Sequence, residues 1–209
     1  MATPLGALAR LHLTGLRVLL VFTVICGIAY PLVLVGIAQA LLPGQANGSL
    51  LRHDGTVVGS NLLGQNFTLP AAGNGAPAQP DPRWFQSRPS AAGAAGYDPT
   101  ASGPSNLGPN SAVLLAAVQQ RRAAAAALDG VAPSRVPPDA LTASGSGLDP
   151  AISPGYAYQQ VDRVARARGL DPAKVRALVA RHVDGRVLGF LGQPRVNVLG
   201  LNLALEGLR

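Results

Sequence analysis

The stretch Val18–Leu42, VLLVFTVICGIAYPLVLVGIAQALL, decides the architecture. It contains no charged residue. As a helix rising about 1.5 Å per residue it is about 37 Å long, against a bilayer hydrocarbon core of about 30 Å. It therefore predicts a membrane span with some tilt or a kink. Pro31 is the expected kink point, since it lacks an N–H and crowds the preceding turn. Gly27, Ala29 and Gly36 are small enough to let another helix approach closely, and Tyr30 calls for a polar partner at that depth. Gly27, Tyr30, Pro31 and Gly36 are thus the candidate partner-binding residues in the membrane. The run exceeds the 7–15 residues of a secretory h-region, but Ala38-Gln39-Ala40 has the form of a cleavage site. A rival reading is therefore a secreted or membrane-tethered binding protein released after Ala40.

Outward from this run, Met1–Arg17 reads as a short tail carrying Arg10 and Arg17, and every Asp and Glu lies beyond Leu42. The short flank after the span holds only Arg52, opposed by Asp54. The positive-inside rule then predicts a single-pass membrane protein, with residues 1–17 cytoplasmic, 18–42 spanning, and 43–209 extracytoplasmic. The net charge of +7 and pI of about 10.7 do not point to nucleic acid, because the arginines are scattered and few aromatics accompany them. Cys26 is the sole cysteine and lies in the membrane run, so packing or partners must hold the large domain, with no disulfide to help.

Along that domain, Pro43-Gly44 breaks the helix. Leu50–His53 and Thr56–Gly59 flank Asp54-Gly55, which predicts a hairpin because both turn residues tolerate positive φ. Residues 68–82, rich in Ala, Gly and Pro, have too little apolar mass to fold and read as a mobile insertion. Trp84 is expected to anchor the hairpin. A helix is predicted from Asn110 or Ser111 to about Leu128. Another opens at Ser153-Pro154 and stops at Gly169. A third opens at Asp171-Pro172, with Val175, Leu178, Val179, His182 and Val183 as its stripe, and ends at Gly185. In 196–206 the alternation of Leu199, Leu201, Leu203 and Leu205 favours a strand, whereas Asn197 as a cap favours a helix. The fold class is α+β: one transmembrane helix followed by one mixed α/β extracytoplasmic domain.

The residues do not compose an enzyme. Neither a phosphate-binding G-x-x-x-x-G-K-[ST] nor a G-x-S-x-G nucleophile elbow occurs. His12, His53 and His182 lie far apart in sequence, which argues against a metal site. The aspartates stand singly beside Gly or Pro, where capping and turns explain them. Two small, hydroxyl-rich loops remain, Ser102–Gly108 and Thr142–Gly147. Ser102, Gly103, Ser105, Asn106, Thr142, Ser144, Gly145, Ser146 and Gly147 are the candidate residues for docking a partner or holding an anion in backbone N–H groups. The competing reading is a tight loop whose hydroxyls satisfy its own backbone.

The sequence resembles the C subunit of the bacterial high-affinity potassium-transporting P-type ATPase, the Kdp complex. The resemblance rests on Tyr30-Pro31-Leu32, Asn47-Gly48-Ser49-Leu50, Gly64-Gln65-Asn66-Phe67, Arg88-Pro89-Ser90-Ala91, Ser102–Pro109, Thr142–Asp149, Ile152-Ser153-Pro154, Gly192-Gln193-Pro194 and Val196-Asn197-Val198, in the family's order over nearly the whole chain. Residues 68–82 depart from it as an insertion, Trp84 stands where a Tyr is usual, and Pro104 replaces the second glycine of a Ser-Gly-Gly-Ser pattern. The resemblance implies a non-catalytic subunit beside three partners: a potassium-binding channel-like subunit, a P-type ATPase subunit and a small peptide. It further implies a role in stabilising assembly and a catalytic-chaperone role that raises the ATPase subunit's affinity for ATP. Ser102-Gly103-Pro104-Ser105 resembles the signature loop of ABC ATPases, so ATP enters as a ligand by resemblance only, with no tightly bound cofactor. An extracytoplasmic domain would meet no ATP.

Overall fold

The computed structural model describes residues 4–70 and 78–208, in two compact units that divide after Ser49. The first is helical. α1 (Pro4–Val24) passes through a π turn (Ile25–Ala29) into α2 (Tyr30–Leu41), and a short α3 (Pro43–Ala46) follows. The span Gly6–Leu41 is long and apolar enough to cross a membrane, and none of it is buried within the chain. Helix begins well before Val18, where a tail was expected. Leu, Ala and Arg are good helix formers, and extending an existing helix avoids a second nucleation. Pro31 does not end the helix. Its missing N–H falls just after the π turn, where the Tyr30 N–H reaches back five residues to the Ile25 carbonyl, widening the backbone at the point where the proline ring would crowd it. Leu42 leaves the helix at φ −135°. Gln39 and Asn47 exchange amide hydrogen bonds of 3.2 and 3.0 Å, and Asn47 Nδ2 donates to the Pro43 carbonyl at 2.7 Å, so the turn after the span is stapled.

The second unit opens with the hairpin β1 (Leu50–His53) and β2 (Thr56–Ser60), antiparallel, with Asp54 at φ 47° and Gly55 at φ 79° in its turn. Gly59 lets the hairpin approach the last helix, for a Cβ there would lie 2.7 Å from Leu199 Cδ2. Of the expected insertion 68–82, residues 71–77 lie outside the described residues. Its two ends are tied together: Thr68 bridges Pro80, and the Leu69 N–H donates to the Gln79 carbonyl at 2.9 Å.

α4 (Ala112–Asp129) is capped by Ser111 and closed by Gly130 at φ 68°. β3 (Ala151–Ile152) leads into α5 (Pro154–Arg168), capped by Ser153 and closed by left-handed Gly169. α6 (Pro172–Arg181) is capped by Asp171. It stops short of Gly185, because His182 turns back on the Leu178 carbonyl and Val183 leaves for β4 (Val183–Asp184). β5 (Arg195–Asn197) lies between β3 and β4, antiparallel to both. Of the two readings of 196–206 the helix is the one found, and the strand expected from the leucines is not: β5 stops at Asn197, before they begin. Asn197 ends β5 and caps α7 (Val198–Glu206), accepting from the Gly200 N–H at 2.9 Å. Helix prevails over the leucine alternation because Val198, Leu201 and Leu205, at i, i+3 and i+7, bury one stripe, while Leu203 stays only half-buried.

The core joins α5, α6, α7 and β5 around Val161, Val164, Val175, Val179, Val196, Leu201 and Leu205, all fully buried. Of the adjacent pair, Phe85 is the fully buried ring and Trp84 only half-buried. Trp84 closes the core's edge, with its ring centroid 6.2 Å from that of Phe67 and the Arg168 guanidinium 4.1 Å above it. It packs against the core from its edge, where a core anchor for the hairpin was expected.

Asp81 fixes the turn before these aromatics. Its buried carboxylate accepts from the Arg83 N–H at 2.9 Å and from Arg83 Nη2 at 2.7 Å. The Arg83 hydrogen bond holds the carboxyl below its ordinary value, against the opposing effect of burial. A depressed carboxylate contributes stability above the unfolded pKa of roughly 3.9 and loses it as pH falls through the folded value. Thermal melts between about pH 6 and 2 should show wild type losing more stability on acidification than Asp81→Asn does. Parallel acid limbs would remove Asp81 from the account.

Candidate functional site

Two buried amides position the central segment. Asn202, on α7, accepts the Phe85 N–H and donates to the Phe85 carbonyl, both at 2.9 Å. Gln160, on α5, accepts the Gln86 N–H at 2.6 Å and donates to its carbonyl at 3.2 Å. Each amide thus acts as one rung of a β ladder, and together they tie Phe85 and Gln86 to two helices. Behind them Arg163 Nε donates to Asp129 Oδ1 at 2.7 Å, and its Nη1 reaches the carbonyls of Pro82 and Trp84 at 2.7 and 2.9 Å. The pair joins α5 to the end of α4.

The segment delivers Arg88 and Ser90 to the hydroxyl-rich loops. Arg88 Nη1 lies 3.2 Å from Asp149 Oδ2, and its Nη2 donates to the Thr142 carbonyl at 3.3 Å. Ser90 Oγ is a hub: it donates to the Gly147 carbonyl at 2.6 Å and accepts the N–H groups of Ala92 and Tyr97 at 3.1 and 2.8 Å. The Tyr97 hydroxyl donates to the Arg88 carbonyl at 2.8 Å. Burial pushes its pKa up to about 12. Gly64 sits where a Cβ would collide with the Tyr97 ring and lie 2.6 Å from the Asp149 carbonyl oxygen.

The two loops singled out in sequence meet. The Ser102 hydroxyl and the Gly103 N–H both donate to the Ser146 carbonyl, at 3.0 and 2.9 Å. Ser146 Oγ accepts the Leu148 N–H at 3.1 Å and is 3.4 Å from Ser144 Oγ. The Thr142 hydroxyl donates to the Pro138 carbonyl at 3.0 Å, and the Gly147 N–H to the Ser144 carbonyl at 3.3 Å. The hydroxyls of Ser102, Thr142 and Ser146 are engaged with backbone, as a self-satisfying clasp requires, and that of Ser144 meets only the Ser146 hydroxyl. Pro104 offers no N–H at all. Gly145 is exposed, as are Ser105 and Asn106, the latter at φ 54°. A shallow depression of about 510 Å³ opens over the clasp, lined by Leu62, Leu63, Ser102, Ser144, Gly145 and Ser146. A larger groove of about 750 Å³ lies on the sheet side, where Arg88, Asp139, Asp149, Arg181, Asp184 and Arg195 contribute its charges.

Among the described residues no group of three or more His, Cys, Asp or Glu side chains converges on a metal position. In the helical unit, a Cβ at Gly36 would meet nothing within 4 Å, and one at Gly27 only the Thr23 methyl at 3.9 Å. Tyr30 is exposed. Among the described residues nothing makes use of the smallness of these glycines. Sequence reasoning missed Gln160, Asn202, Arg163 and Asp129. The available signal was a polar residue inside an apolar stripe, as with Asn202 after Leu201.

Comparison with known proteins gives a consistent picture. The family model described as "KdpC: K+-transporting ATPase, c chain" matches residues 12–207. A protein of Kineococcus radiotolerans named "Potassium-transporting ATPase KdpC subunit" is 56% identical over 206 residues, covering 99% of this chain and 98% of the relative. Proteins of the same name from Sorangium cellulosum and Streptomyces coelicolor are 55% and 49% identical, covering 93% and 98% of this chain and 96% of each relative.

Proposed function

The chain belongs to the KdpC family, the c chains of K⁺-transporting ATPases, and on that premise we propose that it stabilises the assembled pump from the extracytoplasmic side of the inner membrane. The observation that carries this reading is the bare helix Gly6–Leu41. Its apolar surface and the unfilled space over Gly27 and Gly36 need covering by lipid or by other helices. In this reading Gly27, Tyr30, Pro31 and Gly36 form the face that docks on the potassium-binding channel-like subunit. The C-terminal domain packs over the pump's outer surface, with the P-type ATPase subunit and the small peptide completing the complex.

Retention of the span, rather than cleavage after Ala40, is supported by the backbone there. Ala38–Ala40 lie within α2, and the Leu42 N–H donates to the Ala38 carbonyl at 2.8 Å. The clasp at Ser102, Gly103 and Ser146 is a structural and docking element in this reading, and ATP is not its ligand. What supports that is the use of its donors within the chain. Any gain in the ATPase subunit's affinity for ATP is then an indirect result of correct assembly.

The test is affinity purification of the pump through a tag on the ATPase subunit, from cells that carry the chain, lack it, or carry Gly27→Leu with Gly36→Leu. Loss of the assembled complex without the chain is expected, with a several-fold drop for the double variant although it stays in the membrane. A fully active pump purified intact from cells lacking the chain would end the reading. An intact complex with the double variant would end only the docking face.

A further inference from the structure

The turn between β4 and β5 presents apolar side chains to solvent. Val187 is 61% exposed, Leu188 79%, Phe190 67% and Leu191 49%. The tip is not loose: Val187 and Leu191 exchange backbone hydrogen bonds of 3.0 and 2.9 Å, and the Gly189 N–H donates to the Arg186 carbonyl at 3.1 Å. Leu188 holds φ 53° and Gly189 φ 81°. A left-handed conformation suits Gly or Asn, so a leucine there at the apex is a strained choice that exposes the largest apolar surface the turn can offer. Contiguous exposed apolar side chains on a folded domain mark a contact site.

Charge surrounds the tip. Arg186 adjoins Val187, and Arg181 and Arg195 line the groove at its base with Asp184 and Gln193. Arg195 Nε lies 3.8 Å from Asp184 Oδ2, while Arg181 and Arg186 make no ion pair among the described residues. An apolar knob with a cationic collar complements an apolar socket with carboxylates at its rim.

We propose that Val187, Leu188, Phe190 and Leu191 plug into such a socket on another subunit of the same pump, with Arg181 and Arg186 pairing with acidic groups around it. This rests on the assembly role proposed above and names the element that makes the contact outside the membrane helix. Lipid is the less fitting occupant. A spanning helix is already an effectively irreversible anchor, so four more apolar side chains add nothing to membrane residence. A hydrogen-bonded turn with fixed side-chain positions suits a shaped pocket better than a fluid interface.

The test places a photoreactive amino acid at position 188 of the full chain, in membranes containing the whole complex, with the exposed position 122 as control. Irradiation is expected to join position 188, and not 122, to another pump subunit. Leu188→Glu combined with Phe190→Glu should lower recovery of the chain with the pump at least ten-fold while leaving it in the membrane. Adducts to lipid alone, or no adduct while the chain still co-purifies, would overturn the socket and leave the assembly role standing. Failure of the unaltered chain to co-purify would overturn both.

Discussion

Arg163→Met is expected to destabilise the C-terminal domain by about 3–5 kcal/mol, the cost of leaving one partner of a buried ion pair uncompensated. The guanidinium makes four roles converge. Nε binds Asp129 Oδ1 at 2.7 Å, Nη1 serves two carbonyls, and Nη2 donates to Gln160 Oε1 at 2.6 Å. The side chains are 5% and 1% exposed, so water cannot replace the lost donors. With the arginine gone, Asp129 keeps, among the described residues, only the Gln159 amide at 2.7 Å, and Gln160 loses a partner that helps aim it at Gln86. A domain whose whole stability is about 5–15 kcal/mol feels this as a large fraction. Arg163→Lys should fall between, because an ammonium keeps the charge but cannot serve four acceptors as a planar fork does. Removing both charges, as Asp129→Leu with Arg163→Met, should recover much of the loss, since a buried pair replaced by apolar side chains is often near neutral. Trp84, the only tryptophan, accepts one of these bonds through its carbonyl, so urea unfolding of the full chain followed by its fluorescence reads the change directly. A shift under about 1 kcal/mol for Arg163→Met would show that the pair is not what ties α4 to α5.

This network explains where reading the chain alone succeeds and where it stops. Helix boundaries at Ser111, Ser153-Pro154, Gly169 and Asp171-Pro172 were legible because capping is decided within three or four residues. The Asp54-Gly55 turn was legible for the same reason. Strands of two or three residues, such as Ala151–Ile152, carry no period that can be read, so the second sheet was invisible. The leucines of 199–205 satisfied two periods at once, and only packing against α6 and β5 separates them. Gln160 and Asn202 bind backbone 74 and 117 residues away, a pairing with no local signature. The hydroxyl-rich loops were visible as composition, but not what the hydroxyls do. Ser102 finds its acceptor 44 residues on, at Ser146, and whether such a group faces a ligand or a carbonyl is settled by tertiary structure. The tip at 187–191 drew no reading, because the exposure of a short apolar run is not written in its own sequence.

The clasp itself is open to a contrast between two glycines of one loop. Gly147→Ala is expected to cost about 2–5 kcal/mol, and Gly145→Ala less than about 0.5 kcal/mol. Gly147 has φ +69°, where an L side chain costs about 1–2 kcal/mol. Its added Cβ would also lie 2.9 Å from the Ala92 Cβ, the Ala92 N and the Gly103 carbonyl oxygen. Two of those atoms are backbone, and the Ala92 N–H is already bound to Ser90, so the clash cannot be relieved by a rotamer change. The loops must part, which adds about 1–3 kcal/mol as overpacking does. Parting them also breaks the bond from Ser90 Oγ to the Gly147 carbonyl and loosens that from the Gly103 N–H to Ser146. A methyl group at Gly145 meets nothing within 4 Å. Urea midpoints measure the two costs, and hydrogen exchange at the Gly103 N–H, faster in Gly147→Ala only, locates the first in the clasp. The pair also separates the two uses of the loop. A phosphate cradle depends on close approach to exposed glycine backbone, so Gly145→Ala would then be the variant that impairs the pump while leaving stability intact. A structural clasp predicts the reverse order, with the harm following stability and falling on Gly147.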